Sequence, residues 1–489
     1  MPEFGFIGTS YTAPSIYQDD SECINFFAEI DPTKQPGERG IVALYPTPGL
    51  VTKTTLPAAS AVRGMFTMTG GEYFVTVSAN KVYKVNQAMV ATEIGTLSTS
   101  SGYVSISDNQ TTSGLVAYMA DGVNRYVYNF NTSTFTTLPS TDGPWQGATV
   151  VDSVDGYNLY NEPNTYNWAC TDLNSPLSTQ ALYGSSNGYP DNIVSMIVDR
   201  RQVYLLKEVT TEVWTDVGNV ITGITTFPFQ RVPGTMMQSG CGAPFSVARF
   251  GDSFAFVAKD TRGNSTIEMI TGYAFQKIST HAVEQSLLNQ YVADAVAFVY
   301  QIEGHEMYVV TFPSIGDGLT WVYDLATQSW HKWLYWDGQK YTRHRANCGC
   351  FFNNMYLVGD YQNGKIYALE NEVYTDAGDT IRRLRRARHL TTDLQRQFFE
   401  SFQIQFQPGV GLSLGQGQDP QAMLRWSNDG GSTWSNEHWV SIGKQGQYIA
   451  RALWRRLGWS RDRIFEVVVS DPIKAVIVSA ELKMSAGDN

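Results

Sequence analysis

The sequence predicts an all-β protein: a six- or seven-bladed β-propeller, entered through an extended N-terminal arm and followed by a C-terminal β-sandwich. Three observations predict it. A short strand-turn-strand phrase recurs along the chain, and period-2 apolar runs separated by Gly-containing turns fill the intervals between its copies. Helical signatures are scarce, while aromatic residues make up 13% of the 489, 27 of them Tyr and 12 Trp. Flat side chains pack well on pleated surfaces, so this composition favours sheets.

The phrase is clearest from Trp321 to Trp333. Trp321, Tyr323 and Leu325 alternate onto one face, Ala326 to Ser329 make a polar turn, and Trp330 restarts the apolar pattern. Tyr126 to Leu138 repeats it position by position, with Asn129 in the place of Asp324, Thr132 in that of Thr327 and Phe135 in that of Trp330. Weaker copies put an apolar residue where Tyr323 stands, at Lys81-Val82-Tyr83, Asn167-Trp168, Glu212-Val213-Trp214, Glu268-Met269 and Ile366-Tyr367. Their spacing of about 40 to 55 residues is that of propeller blades, each of which needs neighbours to bury its faces. A solenoid of similar sheets is the second architecture this period allows, but nothing resembles the polar capping repeat it needs.

Residues 1–60 form the arm, punctuated by Pro14, Pro32, Pro36, Pro46 and Pro48. Cys23 to Phe27 and Ile41 to Tyr45 are apolar enough to need burial. Such an arm suits either wrapping the outside of the propeller or supplying a strand that closes its first blade on its last. Residues 61–380 are the propeller, with runs such as Tyr73 to Val77, Phe254 to Ala258 and Met307 to Thr311. One segment, His281 to Ala295, has helical spacing at Val283, Leu287, Leu288 and Tyr291, and reads as an insertion between blades. Residues 381–489 are the sandwich, with strands expected at Phe398 to Phe406, Ala422 to Trp426, Gly446 to Leu457, Ile464 to Val469 and Ile473 to Met484.

The net charge of −11 argues against a protein whose main task is gripping phosphates. The acid lies mainly in the arm and propeller; Arg451, Arg455, Arg456, Arg461 and Arg463 make the sandwich relatively basic. The densest basic run, Arg382, Arg383, Arg385, Arg386 and Arg388, marks the domain boundary. It reads as a salt-bridged strand at an interface, or as a surface for assembly or for contact with passing DNA. The start of the chain lacks a signal-peptide pattern, and no segment approaches 18 apolar residues, so a soluble protein without a membrane segment, made in the cytoplasm, is expected.

Little here points to catalysis. Five scattered cysteines (Cys23, Cys170, Cys241, Cys348, Cys350) read as free thiols, and His344 with Cys348 and Cys350 lacks an evident fourth ligand for a metal. Ser427-Asn428-Asp429-Gly430-Gly431-Ser432-Thr433-Trp434 resembles the box of sialidases and other propeller glycosidases, where it is a structural turn. Its single occurrence outside the repeats gives it the same reading here. No nucleophile elbow, phosphate-cradling loop or zinc helix is present, so neither enzyme activity nor a cofactor is expected.

Several phrases, in order, resemble the tail-hub or packaged-DNA stabilisation proteins of short-tailed bacteriophages. These are Glu22 to Phe27, Tyr45 to Leu50, Val154 to Tyr157, Thr211 to Trp214 followed by Pro228 to Arg231, and Gly240 to Pro244. Further on come Ile278 to His281, Gly304-His305, Thr311 to Pro313, and Thr320 to Asp324 leading to Trp330-His331. The resemblance implies a structural virion protein, assembled in the host bacterial cytoplasm, that forms a ring, expected to be a homohexamer, below the portal and the head-to-tail adaptor. There it would retain packaged DNA, line the ejection channel with only transient DNA contact, and carry a fibre, spike or needle. The competing reading is a glycan-binding or glycan-cleaving propeller of the tail, motivated by the abundance of Trp and Tyr.

Overall fold

A computed structural model describes residues 5–34, 41–218, 226–260, 262–391 and 395–487. Among these, seven antiparallel sheets follow one another from Val62 to Glu370. The innermost strands are Val62–Thr67, Ser105–Thr111, Val151–Val154, Ile193–Asp199, Ala248–Phe250, Val296–Ile302 and Ala346–Phe352. Consecutive sheets touch along this inner circle, and Ala346–Phe352 returns to Val62–Thr67, so the ring of sheets closes. The molecule is a β-propeller.

All seven repeated phrases fall on the third strand of a sheet: Lys81–Asn86, Arg125–Asn129, Asn167–Cys170, Thr211–Asp216, Ser265–Thr271, Leu319–Asp324 and Lys365–Glu370. The physical cause is packing. On this strand the residues at the Tyr323 position bury between neighbouring sheets, as Tyr83, Trp168 and Tyr367 do, so an apolar side chain recurs once per sheet. The two strongest copies also share one turn. Asp324 accepts from the Ala326 N–H at 3.0 Å and the Thr327 hydroxyl at 2.6 Å, and Asn129 accepts from the N–H groups of Asn131 and Thr132 at 2.9 and 3.0 Å. Gln328 and Ser133, at the same place in each, have φ of 51° and 56°. Tyr323 then faces Trp330 and Tyr128 faces Phe135 across the hairpin.

Closure of the circle uses the arm. Gly49–Thr55 pairs antiparallel with Lys365–Glu370 as the fourth strand of the last sheet, and the chain then starts the first sheet at Val62. First and last sheets cannot part without breaking this ladder. The inner strands surround a cavity of about 690 Å³, in which Tyr103 stacks on Phe245 with ring centroids 4.3 Å apart.

The sandwich differs from expectation in its membership. One sheet runs Phe26–Ile30, Val42–Pro46, Ile477–Ala486, Gln397–Phe406, Ala452–Arg455; the other runs Asp20–Ile24, Arg383–Arg386, Asp462–Val469, Gln421–Ser427, His438–Ser441. Three of the ten strands come from the arm, which completes both sheets. Moreover, Asp20–Ile24 pairs parallel with Ser329–Lys332, which makes the second sheet continuous with the sixth sheet of the propeller. Phe402, Trp454, Phe465 and Leu482 anchor the core between the two sheets, with Phe26 and Leu44 of the arm inside it.

Two elements are shorter than expected. Helix His281–Leu287 buries Ala282, Val283 and Leu287, but Leu288 is already extended and Asn289 has φ of 58°, so the apolar spacing of Leu288 and Tyr291 is not helical. The strand expected at Gly446 to Leu457 is only Ala452–Arg455, because Tyr448 and Ile449 point into solvent.

Candidate functional site

The junction where arm, propeller and sandwich meet is rich in buried polar side chains. Asn25 is its pivot. With φ of 57°, a conformation Asn tolerates better than most residues, it breaks the arm between Asp20–Ile24 and Phe26–Ile30 so that each strand joins a different sheet. Its Nδ2 donates to the carbonyls of Leu334 and Arg382 at 2.8 and 2.9 Å, and its Oδ1 accepts from the Leu334 N–H at 2.9 Å. One side chain thereby ties the end of the sixth propeller sheet, the arm and the entrance to the sandwich.

The basic run lies on the next strand. Arg383 and Arg385 are 0% and 2% exposed. Arg385 donates to the carbonyls of Phe6 at 2.6 Å, Thr9 at 3.1 Å and Glu22 at 3.0 Å, while Arg383 reaches those of Asp471 and Tyr374 at 3.3 and 3.4 Å. Burial lowers the Arg383 guanidinium to about 10. Arg386 bridges Asp20 at 2.5 Å and Glu466 at 2.8 Å and lies over Trp434 at 4.9 Å. Arg382 stacks on Trp336 at 4.7 Å and stands 3.7 Å from Glu437. Only Arg388 is exposed. Arg385, sealed among carbonyls of the arm, and Arg386, between Asp20 and Glu466, fasten the arm to the sandwich.

Two further pairs fasten the arm to the propeller. Glu22 accepts from Lys332 at 2.8 Å; burial alone would raise its carboxyl, but the Lys332 ammonium holds it below the usual range. His305 sits between Asp324 at 2.8 Å and Glu29 at 2.5 Å. The hydrogen bond to Asp324 raises the imidazole most, burial opposes it, and Glu29 adds to the rise, to about 9. The arm's Glu29 thus meets a cationic His that also braces the hairpin turn at Asp324.

The other sequence candidates lie elsewhere. The Ser427 to Trp434 box is a turn: Asp429 accepts from the N–H and hydroxyl of Thr433 at 2.8 and 2.6 Å, Gly431 donates to Ser427 at 2.8 Å, and Gly430 and Gly431 have φ of 68° and 94°. Those hydrogen bonds hold the Asp429 carboxyl down at about 2. The guanidiniums of Arg386 and Arg425 lie 4.9 and 4.8 Å from the centre of its Trp434 ring. His344 is buried, which lowers its ring to about 3, and its Nδ1 accepts from the Ala346 N–H. Among the described residues no group of three or more His, Cys, Asp or Glu side chains is arranged to hold a metal. Sequence reading missed Asn25 as the pivot; its one signal is a lone amide inside the apolar phrase Cys23 to Phe27.

Both halves of this architecture match known families. Residues 17–374 match the model described as Bacteriophage P22 Gp10, beta-propeller, and residues 371–485 the one described as Bacteriophage P22 Gp10, beta-sandwich. The chain belongs to the P22 Gp10 family. The tail hub protein gp10 of Salmonella phage P22 is 22% identical over 446 residues, covering 87% of this chain and 88% of that protein. Among solved structures, the WD40 β-propeller domain of Doa1 is 10% identical with a TM-score of 0.38, covering 65% of this chain and 97% of that one. The extracellular domain of a hybrid two-component system from B. thetaiotaomicron is also 10% identical, with a TM-score of 0.45 and coverage of 90% and 60%. Within the Gp10 family frame, the two matched regions meet at 371–374, just ahead of the basic run.

Proposed function

We propose that this chain is a structural protein of a short phage tail, forming a homohexameric ring below the portal and adaptor in the virion. In this reading it is assembled in the host cytoplasm, retains packaged DNA, borders the ejection channel, anchors fibre, spike or needle proteins, and has no enzymatic role. The observation that carries it is the P22 Gp10 match over both propeller and sandwich. The structure supports the reading physically. An arm threaded through both sheets of the sandwich and the last sheet of the propeller suits a part that must transmit load without coming apart. The propeller's own cavity, about 690 Å³ and filled by the Tyr103–Phe245 stack, has no room for a duplex whose major groove alone is about 12 Å wide. DNA would therefore pass between copies, along walls whose net negative charge repels phosphate and lets the duplex slide.

The test adds purified protein to DNA-filled heads of the parent phage that lack it, then reads binding by sedimentation and DNA loss by nuclease sensitivity. Binding with DNA retained is the expected result. Protein that stays free while the heads continue to leak would overturn the reading.

A further inference from the structure

We infer that the cleft between the hairpin of Leu334–Trp336 and Tyr341–Arg343, which joins the sixth and seventh propeller sheets, and the edge of the sandwich is a carbohydrate-binding site. The cleft, about 430 Å³, lies where Tyr335 and Trp336 face Glu437 and Trp439. Its volume and its place between two domains are those of ligand sites in general. Four features select the ligand class.

Aromatic surface comes from both sides. Trp336 is backed by Tyr341, ring centroids 5.0 Å apart, and by the Arg382 guanidinium, so its ring is held in place. Trp439 is 58% exposed on strand His438–Ser441, a large cost for a residue that could be polar at a sheet edge. Between the rings stand groups that exchange hydrogen bonds. Arg382, stacked on Trp336, has a buried Nε without a hydrogen-bond partner and stands 3.7 Å from Glu437. Asp337 spends one oxygen on the N–H groups of Gln339 and Lys340. Met423 is the one aliphatic side chain among the lining residues.

An aliphatic peptide anchor would meet only Met423 as an aliphatic partner here. A nucleic acid needs cations in excess, yet Asp337, Asp379 and Glu437 outnumber Arg382 here. A sugar ring offers a C–H face to Trp and an edge of paired hydroxyls that can accept from Arg382 while donating to Glu437, which matches both kinds of lining group at once. The site lies at the junction, away from the propeller's central cavity.

The test applies the full-length protein to an array of hexose, hexosamine and uronic-acid oligosaccharides, then titrates the strongest binder by intrinsic tryptophan fluorescence. Binding with saturation is expected, weakened about tenfold or more in Trp439→Ala and in Glu437→Gln, and partly restored in Trp439→Tyr. Trp459→Ala, an exposed Trp elsewhere on the sandwich, should leave the affinity unchanged, and an unaltered melting temperature in Trp439→Ala shows that the fold survives. Absence of binding to every saccharide would overturn the inference, as would binding indifferent to Trp439 and Glu437, or binding lost in Trp459→Ala instead.

Discussion

The propeller and the junction are held together over different ranges of sequence. Six of the seven propeller sheets form from strands close in sequence, their buried ion pairs, such as Lys207 with Asp191 and Glu212, are equally local, and apolar side chains such as Leu159, Trp168, Val203 and Leu205 seal one sheet on the next. The junction instead joins residues hundreds of positions apart through charges and amides: Glu22 with Lys332, Asp20 with Arg386, Asn25 with Arg382. Apolar packing is tolerant of small shifts, whereas a buried guanidinium surrounded by carbonyls is satisfied in one geometry only. The difference teaches where rigidity is specified. Seven similar sheets could slide or splay; the polar lock at the arm sets one arrangement of propeller and sandwich.

Breaking the lock should therefore cost more than breaking a blade. Arg385→Ala strands the carbonyls of Phe6, Thr9 and Glu22 in the interior, with an expected loss of about 4 kcal/mol in denaturant unfolding. Leu205→Ala, fully buried between the third and fourth sheets, should cost about 3 kcal/mol and leave proteolytic protection of the sandwich unchanged. Asn129→Ala removes the acceptor of one hairpin turn and should cost about 1 kcal/mol by the same measurement. Arg388→Ser, at the exposed end of the basic run, should stay within about 0.5 kcal/mol of wild type.

The lock also has a pH signature. The folded His305 lies near 9, above its ordinary 6.5, so the stabilisation from its bonds to Asp324 and Glu29 is complete below about 6.5 and is lost as pH rises through about 9. The melting-temperature gap between wild type and His305→Gln should accordingly shrink between pH 6.5 and 9.5. A constant gap would mean that His305 acts through packing alone.

This contrast explains what the sequence made legible. Packing between sheets demands an apolar residue at the same place of each third strand, so Tyr83, Trp168, Tyr323 and Tyr367 announce the propeller from sequence alone. The strand of the arm that closes the circle was foreseeable too, since Gly49–Thr55 follows an apolar run and precedes the first sheet. The three arm strands in the sandwich were not. Nothing local marks Glu22 as the partner of Lys332 or Phe6 as the acceptor for Arg385, because such pairs carry no period. Nothing local marks which arginines of the basic run turn inward either: Arg383 and Arg385 are buried on Arg383–Arg386 while Arg388 stays exposed. In the helix beginning at His281, spacing suggested a length that the left-handed Asn289 cuts short.

Hydrogen–deuterium exchange on the isolated protein tests the arm-lock most directly. If the arm is part of both sheets, amides of Asp20–Ile24 and Phe26–Ile30 exchange as slowly as those of Gln397–Phe406 and Asp462–Val469. Exchange of the arm strands within seconds, while those sandwich strands stay protected, would contradict the account.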